Sequence, residues 1–187
     1  MSELQRLINT PSDINEHLQT MHEYAQECSH ITEMGVRDVV STWAWLEAKP
    51  KKVILYDVAD PPKNRLDEAK KYAKDNAIEL IFVKADVREV EIEPTELLFI
   101  DTAHYYDQLK IELQLHAPKT KKYIILHDTE FFQYEGEDGF GQKYDTNGVR
   151  YRGMGQAIIE FLDANSNWYL VKHYTHNWGM SILKRAG

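Results

Sequence analysis

The chain has 187 residues, with 22 Lys and Arg against 30 Asp and Glu, and a formal net charge of −8. This length predicts one domain with a substantial core, and no apolar run approaches the roughly 20 residues that cross a bilayer, which excludes a membrane-spanning protein. The acidic balance argues against a nucleic-acid partner, because such affinity comes largely from cationic surface. Since no secretory signal begins the chain and the single Cys28 has no internal disulfide partner, we expect a cytoplasmic protein.

The first periodic segment predicts an amphipathic helix over roughly 12–28. Thr10 is a candidate cap, Pro11 fits the first turn, and apolar residues then recur at helical spacing up to Cys28. Cys28 is interpreted as a buried small residue of this helix. A reactive thiol is disfavoured, because no cationic residue stands beside it in the sequence.

Five short apolar runs follow, with segments of helical period between most of them. They predict strands over 30–35, 52–57, 78–83, 97–101 and 123–128. The stretch 91–96 is too short and too charged for a helix, so we expect a loop there. Strands that alternate with helices indicate βαβ crossovers, and hence a parallel sheet with helices on both faces.

The composition of the chain changes in its last third. Residues 130–153 combine five glycines with six aromatic residues, which favours a lid or binding loop over a disordered excursion. A helix is predicted after this segment, followed by strands over 168–174 and 180–184 that are joined by a hairpin-length connection. We find no linker, so the 187 residues are predicted to form one unit.

Acidic residues stand at five successive predicted strand ends. In an open parallel sheet, ligands bind outside the carboxyl ends of the strands. Each acid, taken alone, is more simply a solvated or helix-capping residue, and only their conjunction favours a binding site. The five residues are Glu33, Asp57, Asp86, Asp101 and Asp128.

The turn after the first strand separates two classes of ligand. It carries Gly35, but Arg37 and Val39 stand where a dinucleotide fingerprint would have glycines, so a pyrophosphate is disfavoured. Asp57, at the end of the second strand, suits ribose hydroxyls. The combination favours a nucleoside ligand without phosphates, and S-adenosylmethionine, whose sulfonium is attracted to acidic surroundings, is such a ligand.

Three motifs in this order resemble those of class I S-adenosylmethionine-dependent methyltransferases. The segment 33–43 (EMGVRDVVSTW) is similar to the first motif. The segments 98–106 (LFIDTAHYY) and 124–129 (IILHDT) resemble motifs of the branch with cephalosporin-hydroxylase-like proteins and sugar O-methyltransferases, and 175–180 (THNWGM) resembles its last hairpin. The resemblance spans roughly 12–185. It implies an α/β, Rossmann-like doubly wound sheet of seven strands, mostly parallel, with an antiparallel last strand.

The resemblance also implies where the cofactor lies. Glu33 and Gly35 would line its methionine end, Asp57 its ribose and Asp86 its adenine edge. Val39 replaces a glycine that is usual in the first motif, which would narrow the pocket. The expected cofactor-binding set is Glu33, Gly35, Ser41, Asp57, Asp86 and Asp101.

A metal ion and a base complete the expected site. Similar O-methyltransferases hold magnesium with carboxylates at positions that correspond to Asp101 and Asp128, and His127 stands where a further acid is common. A nitrogen ligand favours manganese, iron or zinc over magnesium. His104 stands where sugar-methylating relatives use a base, and imidazole accepts protons near neutral pH. As simpler alternatives, the two aspartates would cap the following segments and His104 would be a packed side chain.

Together these inferences predict an O-methyltransferase that uses S-adenosylmethionine, with Mg²⁺ or another divalent metal, on a small hydroxylated acceptor such as a sugar. The alternative is a non-catalytic cofactor-binding or scaffold protein of the same fold, suggested by Val39 and His127. A nicotinamide-dependent enzyme is a third hypothesis, which the first turn disfavours. The acceptor does not follow from fold and cofactor, and a homo-oligomer stays open.

Overall fold

The computed structural model describes residues 1–137 and 153–187. Within these residues, seven strands form one sheet in the spatial order β3-β2-β1-β4-β5-β7-β6. The strands are β1 (His30–Met34), β2 (Lys52–Asp57), β3 (Glu79–Lys84), β4 (Thr95–Ile100), β5 (Thr120–His127), β6 (Trp168–Tyr174) and β7 (Met180–Arg185). The helices are α1 (Glu3–Ile8), α2 (Leu18–Ala25), α3 (Thr42–Glu47), α4 (Lys63–Asp75), α5 (Tyr106–His116) and α6 (Met154–Ala164).

One strand runs against the others. β7 pairs antiparallel with both β5 and β6, while β1 to β5 are joined by parallel pairing. β6 is therefore parallel to β5, and β7 lies between them although it is the last strand along the chain. The predicted α/β sheet of seven strands with an antiparallel last strand is confirmed.

Alternation along the central strands divides the core into two layers. In β4, Leu97 and Phe99 face the layer that contains α1 to α4, whereas Leu98 and Ile100 face the layer that contains α5 and α6. All four side chains are buried, because a strand covered on both faces has successive side chains in opposite layers. Because helices pack on both faces of the sheet, the ends of its central strands are held in position.

The helix predicted over 12–28 is shorter in the structure, where it corresponds to α2, and a further helix, α1, precedes it. α1 was not predicted. It is capped by the Ser2 hydroxyl, which accepts a hydrogen bond from the Gln5 N–H at 3.2 Å. The hydroxyl of Thr10 donates to the Arg6 carbonyl at 2.8 Å, so Thr10 follows α1 and does not cap the next helix. α2 begins only at Leu18, after a single 3₁₀ turn over Asn15–His17. The prediction of one helix over 12–28 was therefore wrong in its bounds.

Two loops bear on the site. The chain passes from β3 to β4 without a helix, as predicted, although β4 already begins at Thr95. Most of the predicted lid over 130–153 lies outside the described residues, so the lid stays a prediction.

No helix within the described ranges has the length and apolarity that crossing a membrane requires.

Candidate active site

Two adjoining cavities open at the carboxyl ends of β1 to β4. The larger has a volume of about 570 Å³ and a mainly apolar wall, and Asp57 and Asp86 are among its charged lining residues. The smaller has a volume of about 210 Å³ and is lined in part by Ser41 and His104. The residues that line both are Gly35, Arg37, Asp38, Asp101, Thr102 and Glu137. An elongated ligand can therefore extend from one cavity into the other.

Gly35 is required by the packing of β1 against β4. Its φ is +85°, and a Cβ atom at this position would lie 1.9 Å from the carbonyl oxygen of Asp101. Its N–H donates to the Tyr56 carbonyl at 2.9 Å. Gly35 thus brings the first loop close to the end of β4, between the two cavities.

Asp57 and Asp86 line the larger cavity, and both have partners within the protein. Asp57 accepts hydrogen bonds from the N–H groups of Val36 at 2.8 Å and Arg37 at 3.0 Å, so it holds the loop after β1. Asp86 accepts from the Arg88 guanidinium at 2.6 and 3.0 Å. That hydrogen bond holds the pKa of Asp86 below its usual value. Asp86 therefore remains anionic, and both carboxylates border the cavity.

Glu33 does not face either cavity. Its side chain is fully buried and accepts hydrogen bonds from the hydroxyls of Ser41 and Thr42, the latter at 2.8 Å. Burial raises the pKa of Glu33 to about 8. Glu33 therefore ties β1 to the beginning of α3 beneath the smaller cavity, and only Ser41 of this group lines it.

Two histidines and two aspartates form a compact cluster beside the smaller cavity. His104 Nε2 lies 3.2 Å from Asp101 Oδ1 and 3.1 Å from Asp128 Oδ2. His127 Nδ1 lies 3.3 Å from Asp101 Oδ1 and 3.0 Å from Asp128 Oδ1. One ligand atom each from Asp101, His104 and Asp128 lies within 4.8 Å of the others, which is the spacing of a metal-ligand set. The structure therefore brings His104 to the aspartates as closely as His127.

The outer nitrogen of each imidazole has an acceptor. His104 Nδ1 lies 2.9 Å from a carboxylate oxygen of Glu137, which also accepts from the His104 backbone N–H at 3.0 Å. His127 Nε2 lies 3.2 Å from the carbonyl oxygen of Asp13. Histidines that bind metals in proteins typically donate their other ring N–H to such acceptors. The inner nitrogens, both directed at the aspartates, are thus oriented as metal ligands are.

The charges of this cluster determine the protonation of its members. Burial lowers the pKa of His104, but hydrogen bonds to Asp101 and Glu137 outweigh it and raise the value to about 10. Burial also disfavours the charged form of His127, yet the charge of Asp101 raises its pKa. Burial raises the pKa of Asp128 to about 6, whereas the charge of His127, with His104, holds that of Asp101 below its usual range. Without a ligand, His104 therefore carries a proton at neutral pH.

An aromatic wall adjoins the cluster. The ring of Phe132 stacks on His104 with centroids 4.8 Å apart and an interplanar angle of 4°. Phe131 and Trp178 pack together with centroids 4.3 Å apart, and both are exposed. Gly179, with a φ of +93°, lets the β6–β7 connection approach Glu130 closely, since a Cβ atom there would lie 2.4 Å from the Glu130 backbone nitrogen.

Comparisons by sequence do not assign the chain to a family. No family model matches the chain. A stretch of 140 residues, 74% of this chain, is 32% identical to part of the alanine–tRNA ligase of Methanococcus maripaludis. The match spans only 13% of that enzyme's length.

Comparisons by structure identify the fold. A protein from Staphylococcus aureus, assigned as a caffeoyl-CoA O-methyltransferase, is similar over 100% of this chain and 93% of that one, with a TM-score of 0.63 and 14% identity. An O-methyltransferase from Bacillus cereus in complex with S-adenosylhomocysteine covers 98% and 89%, with a TM-score of 0.61 and 14% identity. An O-methyltransferase of tomaymycin synthesis from Streptomyces achromogenes, in complex with S-adenosylmethionine, covers 100% and 91%, with a TM-score of 0.58 and 12% identity. The chain has the class I methyltransferase fold.

The first loop of this methyltransferase fold has positive φ angles at three positions, although only Gly35 among them is a glycine. Positive φ angles occur at Gly35 (85°), Arg37 (43°) and Val39 (61°), alternate positions of the first motif. The left-handed region costs an L-residue roughly 1–2 kcal/mol. Position 39 therefore keeps a left-handed backbone conformation although it carries valine where a glycine is usual. The Val39 side chain is buried in the core.

Most of the residues that the sequence predicted for cofactor binding lie at the two cavities of this methyltransferase fold. Of the expected cofactor set, all but Glu33 line a cavity. No sequence pattern indicated Glu137, which is 33 residues from the histidine that it contacts. Nor did any indicate Asp13, which lines the smaller cavity and forms an ion pair of 2.6 Å with Arg37. Both were missed because long-range contacts of loops leave no periodic pattern.

Proposed function

We propose that the chain is an S-adenosylmethionine-dependent methyltransferase that methylates an oxygen atom of a small hydroxylated acceptor. The observation that carries the proposal is the placement of the two joined cavities beside the half-buried cluster of His104, Asp101 and Asp128, at the carboxyl ends of the strands. Ligands of open α/β sheets bind at this edge. The mainly apolar larger cavity suits a nucleoside, and the cluster supplies the groups that an acceptor hydroxyl needs.

The reaction is a displacement at carbon. The acceptor oxygen forms a bond to the methyl carbon while the bond from that carbon to the sulfonium sulfur breaks, and S-adenosylhomocysteine leaves as a neutral thioether. The acceptor's proton must depart during or before this step. Such a transfer depends mainly on positioning and on the exclusion of water. The fixed strand ends serve the first need, and the Phe132 ring against His104 serves the second.

The donor set of the cluster fits a divalent cation. Asp101, Asp128 and His104 would hold it, with His127 as a fourth candidate, because the two inner ring nitrogens and the carboxylate oxygens lie together. Two imidazoles favour manganese, iron or zinc over magnesium. When bound, such a cation lowers the pKa of an acceptor hydroxyl.

His104 is a candidate for two roles that use the same atom. Its Nδ1 is held by Glu137, so only Nε2 is directed at the aspartates. Either role requires Nε2 to lose the proton that it carries in the protein without a ligand. As a base, Nε2 would then take the proton of the acceptor, and as a ligand it would donate its lone pair to the cation. The two roles exclude each other at any one moment.

Calorimetry with S-adenosylmethionine, S-adenosylhomocysteine and NAD tests the proposal. We expect micromolar binding of the first two and none of the third. Absence of binding at millimolar S-adenosylmethionine, or tighter binding of NAD, would overturn it. Methyl transfer is then measured with labelled cofactor on a panel of sugars and phenols. Cofactor binding without transfer to any of them would favour the non-catalytic alternative.

A second experiment separates the roles of His104. Titration of His104→Gln and the wild type with Mn²⁺, Zn²⁺ and Mg²⁺ reports ligation directly. A ligand role predicts at least tenfold weaker binding in the variant, as for losses around metal sites generally. A role as base predicts unchanged metal affinity and a lower kcat. His116→Gln is the matched control, because that buried imidazole contacts the Val87 carbonyl, outside the cluster.

A further inference from the structure

Of the two residues expected at the methionine end of the cofactor, Gly35 lines both cavities and Glu33 lines neither. Glu33 is fully buried and bonded to Ser41 and Thr42, so it does not reach a ligand in the smaller cavity. The α-amino-acid end of S-adenosylmethionine is a zwitterion with one ammonium and one carboxylate group. A site for it needs a cation and an anion side by side, because hydrogen bonds to ionised groups are the strong ones.

One such pair stands at the wall of the smaller cavity. Arg37 Nη2 lies 2.6 Å from Asp13 Oδ2, and both residues line this cavity. Arg37 also lines the larger cavity. Arg37 lies in the loop after β1 and Asp13 in the segment between α1 and α2, so the pair joins two separate segments at the wall of the smaller cavity.

Other charged groups around the smaller cavity are less suited to a carboxylate. Among its described lining residues, the second basic side chain is His104, and its ring nitrogens already contact Asp101, Asp128 and Glu137. Asp38 would repel a carboxylate. Arg37 has five N–H donors in a planar fork that matches a carboxylate, and the contact with Asp13 uses one nitrogen.

We propose that the Arg37–Asp13 pair binds the α-amino-acid end of the cofactor, with Arg37 on the carboxylate and Asp13 on the ammonium group. The inference rests on the proposed function and refines it. The adenosine part then occupies the larger cavity, where Asp57 borders the wall. The sulfonium lies between them, close to Asp101, which lines both cavities.

Separating these two side chains to admit a zwitterion costs little free energy. The Arg37 side chain is 74% exposed and that of Asp13 is 28% exposed. Ion pairs of this exposure contribute little net stability, because water and salt compete with them. The ligand therefore replaces a weak contact with two charge-assisted ones.

Three ligands separate the contributions of the amino-acid end. S-adenosylhomocysteine carries both charges, S-adenosyl-3-thiopropylamine lacks the carboxylate, and 5′-methylthioadenosine lacks both. Their Kd values are measured by calorimetry for the wild type, Arg37→Met and Asp13→Asn. Arg6→Met is the matched control, since Arg6 is an exposed arginine paired with Glu3 on α1, away from the cavities.

We expect Arg37→Met to weaken S-adenosylhomocysteine binding about tenfold to a hundredfold, the range for a hydrogen-bonded charge, and to leave the other two ligands within about twofold. Asp13→Asn should weaken both ligands that carry the ammonium group and spare 5′-methylthioadenosine. The proposal is overturned if Arg37→Met leaves S-adenosylhomocysteine binding unchanged, or weakens all three ligands equally, as a distorted loop would. Wild-type protein that binds none of the three instead refutes the proposed function, and this inference with it.

Discussion

The buried carboxyl group of Glu33 should make the stability of the fold depend on pH. Glu33 is fully buried beneath α3 and accepts hydrogen bonds from Ser41 and Thr42. Burial raises its pKa from the ordinary 4.5 to about 8. The folded protein thus retains this proton up to about pH 8, whereas the unfolded chain releases it near pH 4.5. Since folding takes up a proton between these values, the stability contributed by Glu33 is complete below pH 4.5 and is lost as the pH rises to 8.

The size of the effect follows from the two pKa values. A difference of one pH unit corresponds to about 1.4 kcal/mol. For Glu33, the free energy of unfolding should therefore fall by about 3–4 kcal/mol between pH 5 and pH 8. That is a large share of the 5–15 kcal/mol typical of a domain. Glu33→Gln keeps the shape and an acceptor oxygen but carries no titrating proton, so it should remove this fall.

Urea denaturation at pH 5 and pH 8 measures the effect. We expect the variant to have nearly wild-type stability at pH 5 and to exceed the wild type by about 3 kcal/mol at pH 8. Glu68→Gln, on the exposed face of α4, controls for the loss of one negative charge. If the stability difference between Glu33→Gln and the wild type is the same at both pH values, the buried carboxyl is not protonated in the fold and the reasoning fails.

Three further predictions concern the backbone and the thiol. Ala77 follows α4 with a φ of +58°, and its N–H donates to the Lys74 carbonyl while the Ile78 N–H donates to the Ala73 carbonyl. Because glycine adopts this conformation without strain, Ala77→Gly should raise the free energy of unfolding in urea by about 1 kcal/mol. A lower free energy of unfolding would contradict this. Gly35→Ala should destabilise the protein by about 3 kcal/mol or more, because the new Cβ would collide with the Asp101 carbonyl, and a wild-type thermal midpoint would refute that account. Burial raises the pKa of Cys28 to about 12, so a thiol reagent at pH 8 should label it only after unfolding; rapid labelling of the native protein would show that the thiol is accessible.

The strands could be predicted well because their signal is local. The bounds predicted for β2 and β6 agree with Lys52–Asp57 and Trp168–Tyr174. Short apolar runs between turn residues show where a buried strand begins and ends. The short helix α1 escaped because its six residues are too few for a helical period to stand out.

The site was harder to predict because direction matters there as much as position. Glu33 stands at the expected strand end, but strand alternation places it on the same face as Ile31, whose side chain packs in the layer of α1 to α4. That period of two could have indicated that Glu33 points into the core. Glu137 and Asp13 reach the histidines from distant segments, and such encounters depend on loop paths that no local pattern encodes.

The position of β7 has a consequence for the order in which the sheet forms. β6 precedes β7 along the chain, yet among residues 1–137 and 153–187 it pairs with the rest of the sheet only through β7, which pairs with β5 on its other side. β6 therefore cannot join the sheet until the final strand has docked. This makes the hairpin of β6 and β7 the natural unit of late assembly, added as a preformed pair to an edge that β5 already presents. During synthesis, the backbone N–H and C=O groups at this edge of β5 stay without their β7 partners until Met180–Arg185 has emerged.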